Sequence, residues 1–278
     1  MNPRVHKDSG WRLFVRTVIG RAYPRIIGMQ RQPSGMIFDV GLPLIALIAY
    51  VFVYRSIHAP EEFVGFVILG GAMSAFWINV AWSMCNQFFW EKETGNLALY
   101  IIAPASLMAI LLGMAIGGIF SAALRASAIL LLGSWLFHVQ YQWANAPGLA
   151  LVFFLTLTAL YAMGMMLASL FLLFGREASH FVNLSQEPVN LLSGMYFPVR
   201  SLNFWVAAAA SLIPLTLGLD AMRQLVFASG AAIGFLSPRM ESAALFVLTV
   251  VFLWAAYHSL KFMERLAIRE GKLTESRA

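Results

Sequence analysis

The fold is decided by the short polar stretch Glu91-Lys92-Glu93-Thr94-Gly95-Asn96-Leu97-Ala98-Leu99-Tyr100, which joins two long apolar runs. The run before it, from Phe63 to Trp90, carries no charged residue, and the run behind it, Leu107–Phe137, carries only Arg125. Each run is long enough to cross a hydrocarbon core of roughly 30 Å as a helix. The pattern therefore predicts a helical hairpin whose tip, residues 91–100, stands in water and can contact a soluble partner.

The composition places the whole chain in the same class. Of its 278 residues, 60% are hydrophobic and 12% are charged, whereas a soluble domain carries about 25% charged residues. We predict an all-α polytopic membrane protein.

Basic residues are concentrated at both ends of the chain. Residues 1–35 hold seven of the nineteen Lys and Arg residues against the single acid Asp8, and five more follow from Lys261 onward. Such enrichment beside membrane spans marks the cytoplasmic side, so we expect both termini to be cytoplasmic and the number of spans to be even. A nucleic-acid partner is not expected, because these charges flank apolar spans and no binding fold follows.

The first 36 residues are predicted to form a cytoplasmic interface segment. Trp11 and Phe14 begin an apolar stripe at helical spacing, and Arg12 and Arg16 lie beside it, as in a helix resting on anionic lipid. A helix packed on a partner protein is the alternative. Pro24 is expected to end or kink this helix.

Six membrane spans are predicted within residues 37–262, followed by a basic cytoplasmic tail over 263–278. The third span would be about 46 Å long as one helix, so we expect it to tilt, protrude or break near Gly117-Gly118. Pro214 separates two short apolar pieces, which predict re-entrant or surface helices between spans five and six. The predicted spans cover residues 37–54, 63–90, 107–137, 149–174, 181–198 and 243–260.

The sequence offers no pattern for catalysis, a metal site or a cofactor. It lacks a Gly-x-x-x-x-Gly-Lys phosphate loop, a Gly-x-Ser-x-Gly elbow and a His-x-x-x-His pair, and Cys85 is its single cysteine. Charges within predicted spans are the default functional candidates because their burial is costly. Arg125 and Glu187 are therefore candidates for a translocation path, unless each merely reaches headgroups from a helix end.

Three segments resemble motifs of one family. Glu91-Lys92-Glu93-Thr94-Gly95-Asn96-Leu97 resembles the Glu-Arg-Glu-x-Gly-Thr-Leu segment of ABC-2 type exporter permeases, with Lys92 in place of arginine and Asn96 in place of threonine. Ser193-Gly194-Met195-Tyr196-Phe197-Pro198 is similar to the Ser-Gly-x-x-Phe-Pro segment of that family. Pro214-Leu215-Thr216, followed by Asp220-Ala221-Met222-Arg223, resembles its Pro-Leu-Thr…Asp-Ala-x-Arg stretch.

This resemblance implies roles for individual residues. Glu91, Lys92, Glu93, Gly95 and Leu97 would form the segment that couples the permease to its ATPase, unless the turn is a solvated loop without a partner. The implied path residues, in addition to Arg125 and Glu187, are Tyr196, Phe197, Pro198, Asp220 and Arg223.

The resemblance also implies partners and a location. The chain would be a permease in a bacterial plasma (inner) membrane, paired with a second copy and with two cytoplasmic P-loop ATPase subunits that bind ATP and Mg. The cargo would be amphiphilic: a drug, a lipid or a lipid-linked glycan. Export of a polysaccharide such as O-antigen or teichoic acid is an alternative. A carrier, channel or scaffold that needs no nucleotide is an alternative of another class.

Overall fold

A computed structural model describes residues 10–30, 33–96, 99–100, 106–142, 145–174 and 176–269. Over these residues the chain is helical and contains no strand. A π-helix, Asn79–Cys85, continues α3. The α-helices are α1 Trp11–Gln30, α2 Pro33–Ser56, α3 Glu62–Ile78, α4 Gln87–Glu93, α5 Leu107–Phe137, α6 Ala146–Phe174, α7 Arg176–Leu192, α8 Phe204–Ala210, α9 Pro214–Val226, α10 Gly230–Ile233 and α11 Pro238–Arg269.

Five stretches of the described chain are long and apolar enough to cross a membrane. A sixth is reached if the bent pair of α8 and α9, whose axes differ by 107°, counts as one span. The prediction of an all-α polytopic membrane protein is confirmed. The five stretches are Ile37–Ser56, Glu62–Glu91, Leu107–Phe137, Ala146–Phe171 and Pro238–Leu266.

The helix at the position of predicted span five differs from the prediction. The predicted span covers residues 181–198, whereas α7 begins at Arg176, passes through Pro188 and ends at Leu192. It has 17 residues and is not among the candidate spans. The composition of α7 explains this difference, because α7 carries many polar residues where the membrane-length helices are largely uncharged. The exposed polar residues of α7 are Glu177, His180, Asn183 and Glu187.

The centre of the protein is α3. In the most apolar part of the span that contains α3, 89% of the residues are buried. The corresponding shares are 17% for α2 and 22% for α11. Small residues let neighbours approach the α3 backbone closely, as is usual between helices in membranes. Gly70 lies against the Met195 carbonyl and Gly71 lies against the Leu47 side chain. The outward faces of α2 and α11 are left for lipid or for another chain.

Helix α1 packs along α5 instead of ending at Pro24. The backbone of α1 at Val18 and Ala22 approaches Gly113 and Gly117, where a larger side chain would collide with it. One alternative of each of two expectations is thereby corrected. Helix α1 does not end at Pro24 but continues to Gln30, and α5 is not broken near Gly117-Gly118. These glycines allow two helices to pack closely, and they do not interrupt the span.

The two short helices predicted around Pro214 are present. Helix α8 exposes Phe204 and Trp205, whereas every residue of α9 from Pro214 to Arg223 is buried. Pro214 occupies the first position of α9, where its missing N–H leaves no unsatisfied donor. One arm of the pair is thus exposed and the other lies inside the protein, an arrangement found in a broken span or in a re-entrant loop.

We expect Gly70→Ala to destabilise the protein, because its Cβ would collide with the Met195 carbonyl oxygen. Overpacking of this kind costs about 1–3 kcal/mol. The measurement is thermal unfolding of the purified chain in detergent. Gly41→Ala on exposed α2 is the matched control, since nothing lies within 4 Å of the added Cβ. Equal transition temperatures for the two variants would contradict the packing described here.

Candidate functional site: the polar turn and the segment at the opposite end

The polar turn begins at the end of α4. Helix α4 stops at Glu93, and Gly95 takes a left-handed conformation with φ of 76°, which favours glycine. The Thr94 hydroxyl donates to the Trp90 carbonyl oxygen at 2.9 Å and accepts a bond from Asn96 Nδ2 at 3.1 Å. Glu93 is exposed beside this turn. Leu97 and the side chain of Lys92, both predicted to belong to the site, lie outside the described part of the structure.

The carboxylate of Glu91 points into the protein. Its side chain is 8% exposed and is salt-bridged to Arg21 of α1. It also accepts hydrogen bonds from Gln87 Nε2 at 2.7 Å and from the Tyr100 hydroxyl at 2.8 Å. Arg21 in turn lies over the Tyr100 ring, 4.9 Å from its centroid. Burial and the bond to Glu91 raise the pKa of Tyr100 to about 12.

Arg25, one turn after Arg21, extends this connection to the π-helix. Its guanidinium donates to the Met114 carbonyl oxygen at 3.1 Å and to the Ser83 hydroxyl. A longer contact of 3.3 Å reaches Gln87 Oε1. Burial lowers the pKa of Arg25. Together Arg21 and Arg25 fix α1 to the end of the hairpin that carries the turn.

The two acids of the turn therefore have different environments. The carboxylate of Glu91 is occupied within the chain, so it cannot dock against a soluble partner without breaking this cluster. Glu93 is free to meet basic groups of another molecule. Sequence reasoning treated both acids as surface groups, because a polar turn gives no sign that α1 folds back onto it.

Arg223 organises the segment at the opposite end. It is 2% exposed, and its donors reach the backbone carbonyl oxygens of Gly194 at 2.6 Å, Met195 at 2.9 Å, Phe66 at 3.0 Å and Phe197 at 3.3 Å. Gly194 turns the chain there with φ of 72°. This predicted path residue thus holds α9, the 193–198 segment and α3 together.

The predicted path residues of the 193–198 segment are largely packed against other helices. Tyr196 stacks on Tyr50 with ring centroids 4.2 Å apart, and its carbonyl oxygen accepts from the Tyr54 hydroxyl at 2.7 Å. Pro198 is buried and Phe197 is partly buried. The structure therefore brings Tyr196, Phe197, Pro198 and Arg223 together in one cluster.

Asp220 belongs to a second buried cluster, one turn before Arg223. Its carboxylate accepts from the Phe235 backbone N–H at 2.7 Å and from Gln224 Nε2 at 3.2 Å. Gln224 Nε2 also reaches Glu241 Oε2 at 3.2 Å and the Leu236 carbonyl oxygen at 2.7 Å. Glu241 is fully buried. Sequence reasoning missed Gln224 and Glu241, because they lie on separate helices and match no motif.

The remaining two predicted path residues lie apart from each other. Arg125 forms an ion pair with Asp39 of α2, with 2.8 Å between the charged atoms. Glu187 is exposed on α7. Over the described residues no group of three or more His, Cys, Asp or Glu side chains is arranged to hold a metal ion.

We expect Glu91→Gln to loosen α1 from the turn, because it removes the charge that pairs with Arg21. A charge-assisted hydrogen bond contributes about 1.5–3 kcal/mol, so amide hydrogen exchange around Arg21 should accelerate by roughly tenfold. Glu93→Gln is the matched control and should leave exchange in α1 unchanged. Equal exchange in both variants would argue against the cluster around Glu91.

Comparison of the sequence with known protein families identifies the family of the chain. The model of the ABC-2 type transporter family matches residues 23–227, more than half of the 278 residues. A search of curated proteins found no match to the chain. The matched region begins within α1, includes the polar turn and ends just after α9. This chain therefore belongs to the ABC-2 type transporter family, as a multi-pass membrane permease component of an ABC transporter that works with an ATPase partner.

Proposed function

We propose that the chain is the permease of an exporter that moves an amphiphilic substrate out of the cytoplasm. In this proposal a separate P-loop ATPase subunit supplies the energy and docks at the polar turn. The observation that carries the proposal is the division of roles between Glu91, which is locked to α1, and Glu93, which is exposed at the end of the same helix. A docking group on a braced helix end can transmit a movement of the ATPase to α3.

The path for the substrate is proposed to run beside α7. This helix starts next to the end of α6 and leads into the 193–198 segment, which α3 and α9 hold at the opposite end. Its exposed Asn183 and Glu187 would be costly in contact with lipid. Polar groups at such a position are stable when water or a second protein covers them. Glu187 therefore supports a water-accessible path along this helix.

A second copy of the permease is proposed to complete the path. Helix α2 shows a continuous apolar face with little covering from its own chain, and α7 exposes Leu184 and Leu191. We propose a homodimer with two ATPase subunits, in which each ATPase subunit covers the polar turn of one permease. The exposed apolar side chains of α2 are Ile37, Phe38, Leu42, Ile45, Phe52 and Val53.

The proposed orientation follows from the basic residues. Their concentration before α2 and after the apolar part of α11 supports cytoplasmic termini. The turn then also faces the cytoplasm, where an ATPase can reach it. In this orientation, in a bacterial inner membrane, the N-terminal part of α1 with exposed Trp11 and Arg12 would lie at the lipid headgroups.

The test is co-purification from the native membrane in mild detergent. We expect the tagged chain to bring down a P-loop ATPase in roughly stoichiometric amount, with vanadate-sensitive ATP hydrolysis. Glu93→Lys should lower the retained ATPase by about tenfold or more, because like charges placed opposite each other at an interface cost several kcal/mol.

Glu61→Lys is the matched control, since Glu61 is an exposed acid at the opposite end of the same span. It should retain the ATPase at the level of the unchanged chain. A well-folded chain that purifies without an ATPase, or equal retention by Glu93→Lys and Glu61→Lys, would overturn the proposal.

A further inference from the structure

A polar cavity lies between α1, α2, α5 and the π-helix. Its volume is about 460 Å³, and it does not involve the polar turn or the 193–198 segment. The polar side chains that line it are Arg25, Asp39, Asn79, Ser83, Ser121 and Arg125.

Two cations but only one carboxylate line this cavity. Arg25 is held by groups of its own protomer, the Met114 carbonyl oxygen and the Ser83 hydroxyl. The Arg125 guanidinium donates to Asp39 Oδ2 at 2.8 Å, while its Nε is buried without a hydrogen-bond partner. The lining therefore has an excess of positive charge and an unused donor.

Asp39 is the loosely held member of its ion pair. The Asp39 side chain is 52% exposed, whereas that of Arg125 is 17% exposed. Asp39 also belongs to α2, the candidate span with the smallest buried share, 17%. An anionic group that enters the cavity can replace the Asp39 carboxylate at Arg125 with little disturbance of the packing.

An apolar cavity continues from the polar one. Its volume is about 220 Å³, and it shares Asp39, Ile78 and Arg125 with the first. The other residues that line it are apolar apart from Ser74: Phe38, Leu42, Pro43, Ala75 and Ile129. A charged chamber that leads into an apolar groove matches a molecule with an anionic head and a hydrocarbon tail.

The wall of the polar cavity includes the π-helix. Asn79 and Ser83 belong to it, and Asn79 Oδ1 accepts a hydrogen bond from the Tyr161 hydroxyl at 2.9 Å. A π-helix is a rare departure from α-helical geometry that occurs frequently at functional sites. Here it widens the helix at the position where the polar side chains face the cavity.

We propose that this pair of cavities binds a phosphate-bearing anionic amphiphile, with its headgroup at Arg125 in place of Asp39 and its chain along α2. The ligand is either a lipid of the surrounding bilayer or the transported substrate. Binding itself does not depend on an ATPase, and only the identification of the ligand as substrate rests on the proposed function.

The test is native mass spectrometry of the full purified chain in a neutral maltoside detergent. The probes are dioleoylphosphatidylglycerol and, as the uncharged comparison, dioleoylphosphatidylcholine with the same chains. Asp39→Asn should raise the affinity for phosphatidylglycerol, because it removes the competing carboxylate. Arg125→Gln should lower that affinity by about tenfold, the effect of losing a charge-assisted hydrogen bond. The affinity for phosphatidylcholine should change little in either variant.

Two further variants keep the result interpretable. The double variant Arg125→Gln with Asp39→Asn leaves no unpaired charge, so it should fold and still bind phosphatidylglycerol weakly. Arg239→Gln removes an exposed cation far from the cavity, at the start of α11, and should bind like the unchanged chain. Equal phosphatidylglycerol affinity in Asp39→Asn, the double variant and the unchanged chain would overturn the proposal.

The source of the ligand is decided in proteoliposomes that contain the complete transporter. If phosphatidylglycerol is transported, its addition to phosphatidylcholine vesicles stimulates ATP hydrolysis, and Arg125→Gln reduces this stimulation. If it is instead a resident lipid, its addition leaves ATP hydrolysis unchanged but raises the unfolding temperature of the permease. Either result supports the site, while the absence of both effects would contradict it. If no ATPase accompanies the chain, the proposed function fails and the binding result still stands.

Discussion

The structure depends on a buried arginine that binds backbone carbonyl groups. The guanidinium of Arg223 is almost inaccessible, reaches the carbonyl oxygens of Gly194, Phe66 and Met195, and lies 5.3 Å from the centroid of the Phe66 ring. A cation inside a membrane protein is costly unless its donors are satisfied. The carbonyl groups of Gly194 and Met195 belong to non-helical backbone, whereas that of Phe66 belongs to α3. One side chain thus holds an irregular segment and the buried helix α9 beside α3.

The polar turn at the other end of α3 is fixed by a different charged group. Glu91 pairs with Arg21, so α1 braces the helix end from which Glu93 projects. Charged groups that bond within the chain, such as Glu91 and Arg223, fix the helices relative to one another. The more exposed charges of Glu93, Glu187 and the Arg125–Asp39 pair can interact with other molecules. This division suits a permease that must be rigid where an ATPase pushes and adaptable where a substrate passes.

Much of this architecture could be predicted from sequence, and the failures have physical causes. Uncharged runs of membrane length predict spans reliably, because few other structures accommodate them. The order of the motifs identified the family before any geometry was known. Predicted span five is not among the membrane-length helices, because α7 has 17 residues and exposes polar side chains such as Asn183 and Glu187. The pairing of Arg125 with Asp39 was missed, since 86 residues separate them and their depths depend on how α2 packs.

The central proposal is that the exposed end of α4 docks an ATPase. The most direct measurement is photo-crosslinking from Glu93→Cys, labelled with benzophenone maleimide in native membranes. The natural Cys85 is the single cysteine of the chain and is buried, so the label reports the introduced position. We predict a crosslink from Glu93→Cys to a P-loop ATPase, identified by mass spectrometry, and no such crosslink from Glu61→Cys. An efficient label at position 93 that captures only lipid, or that captures no ATPase, would contradict the claim.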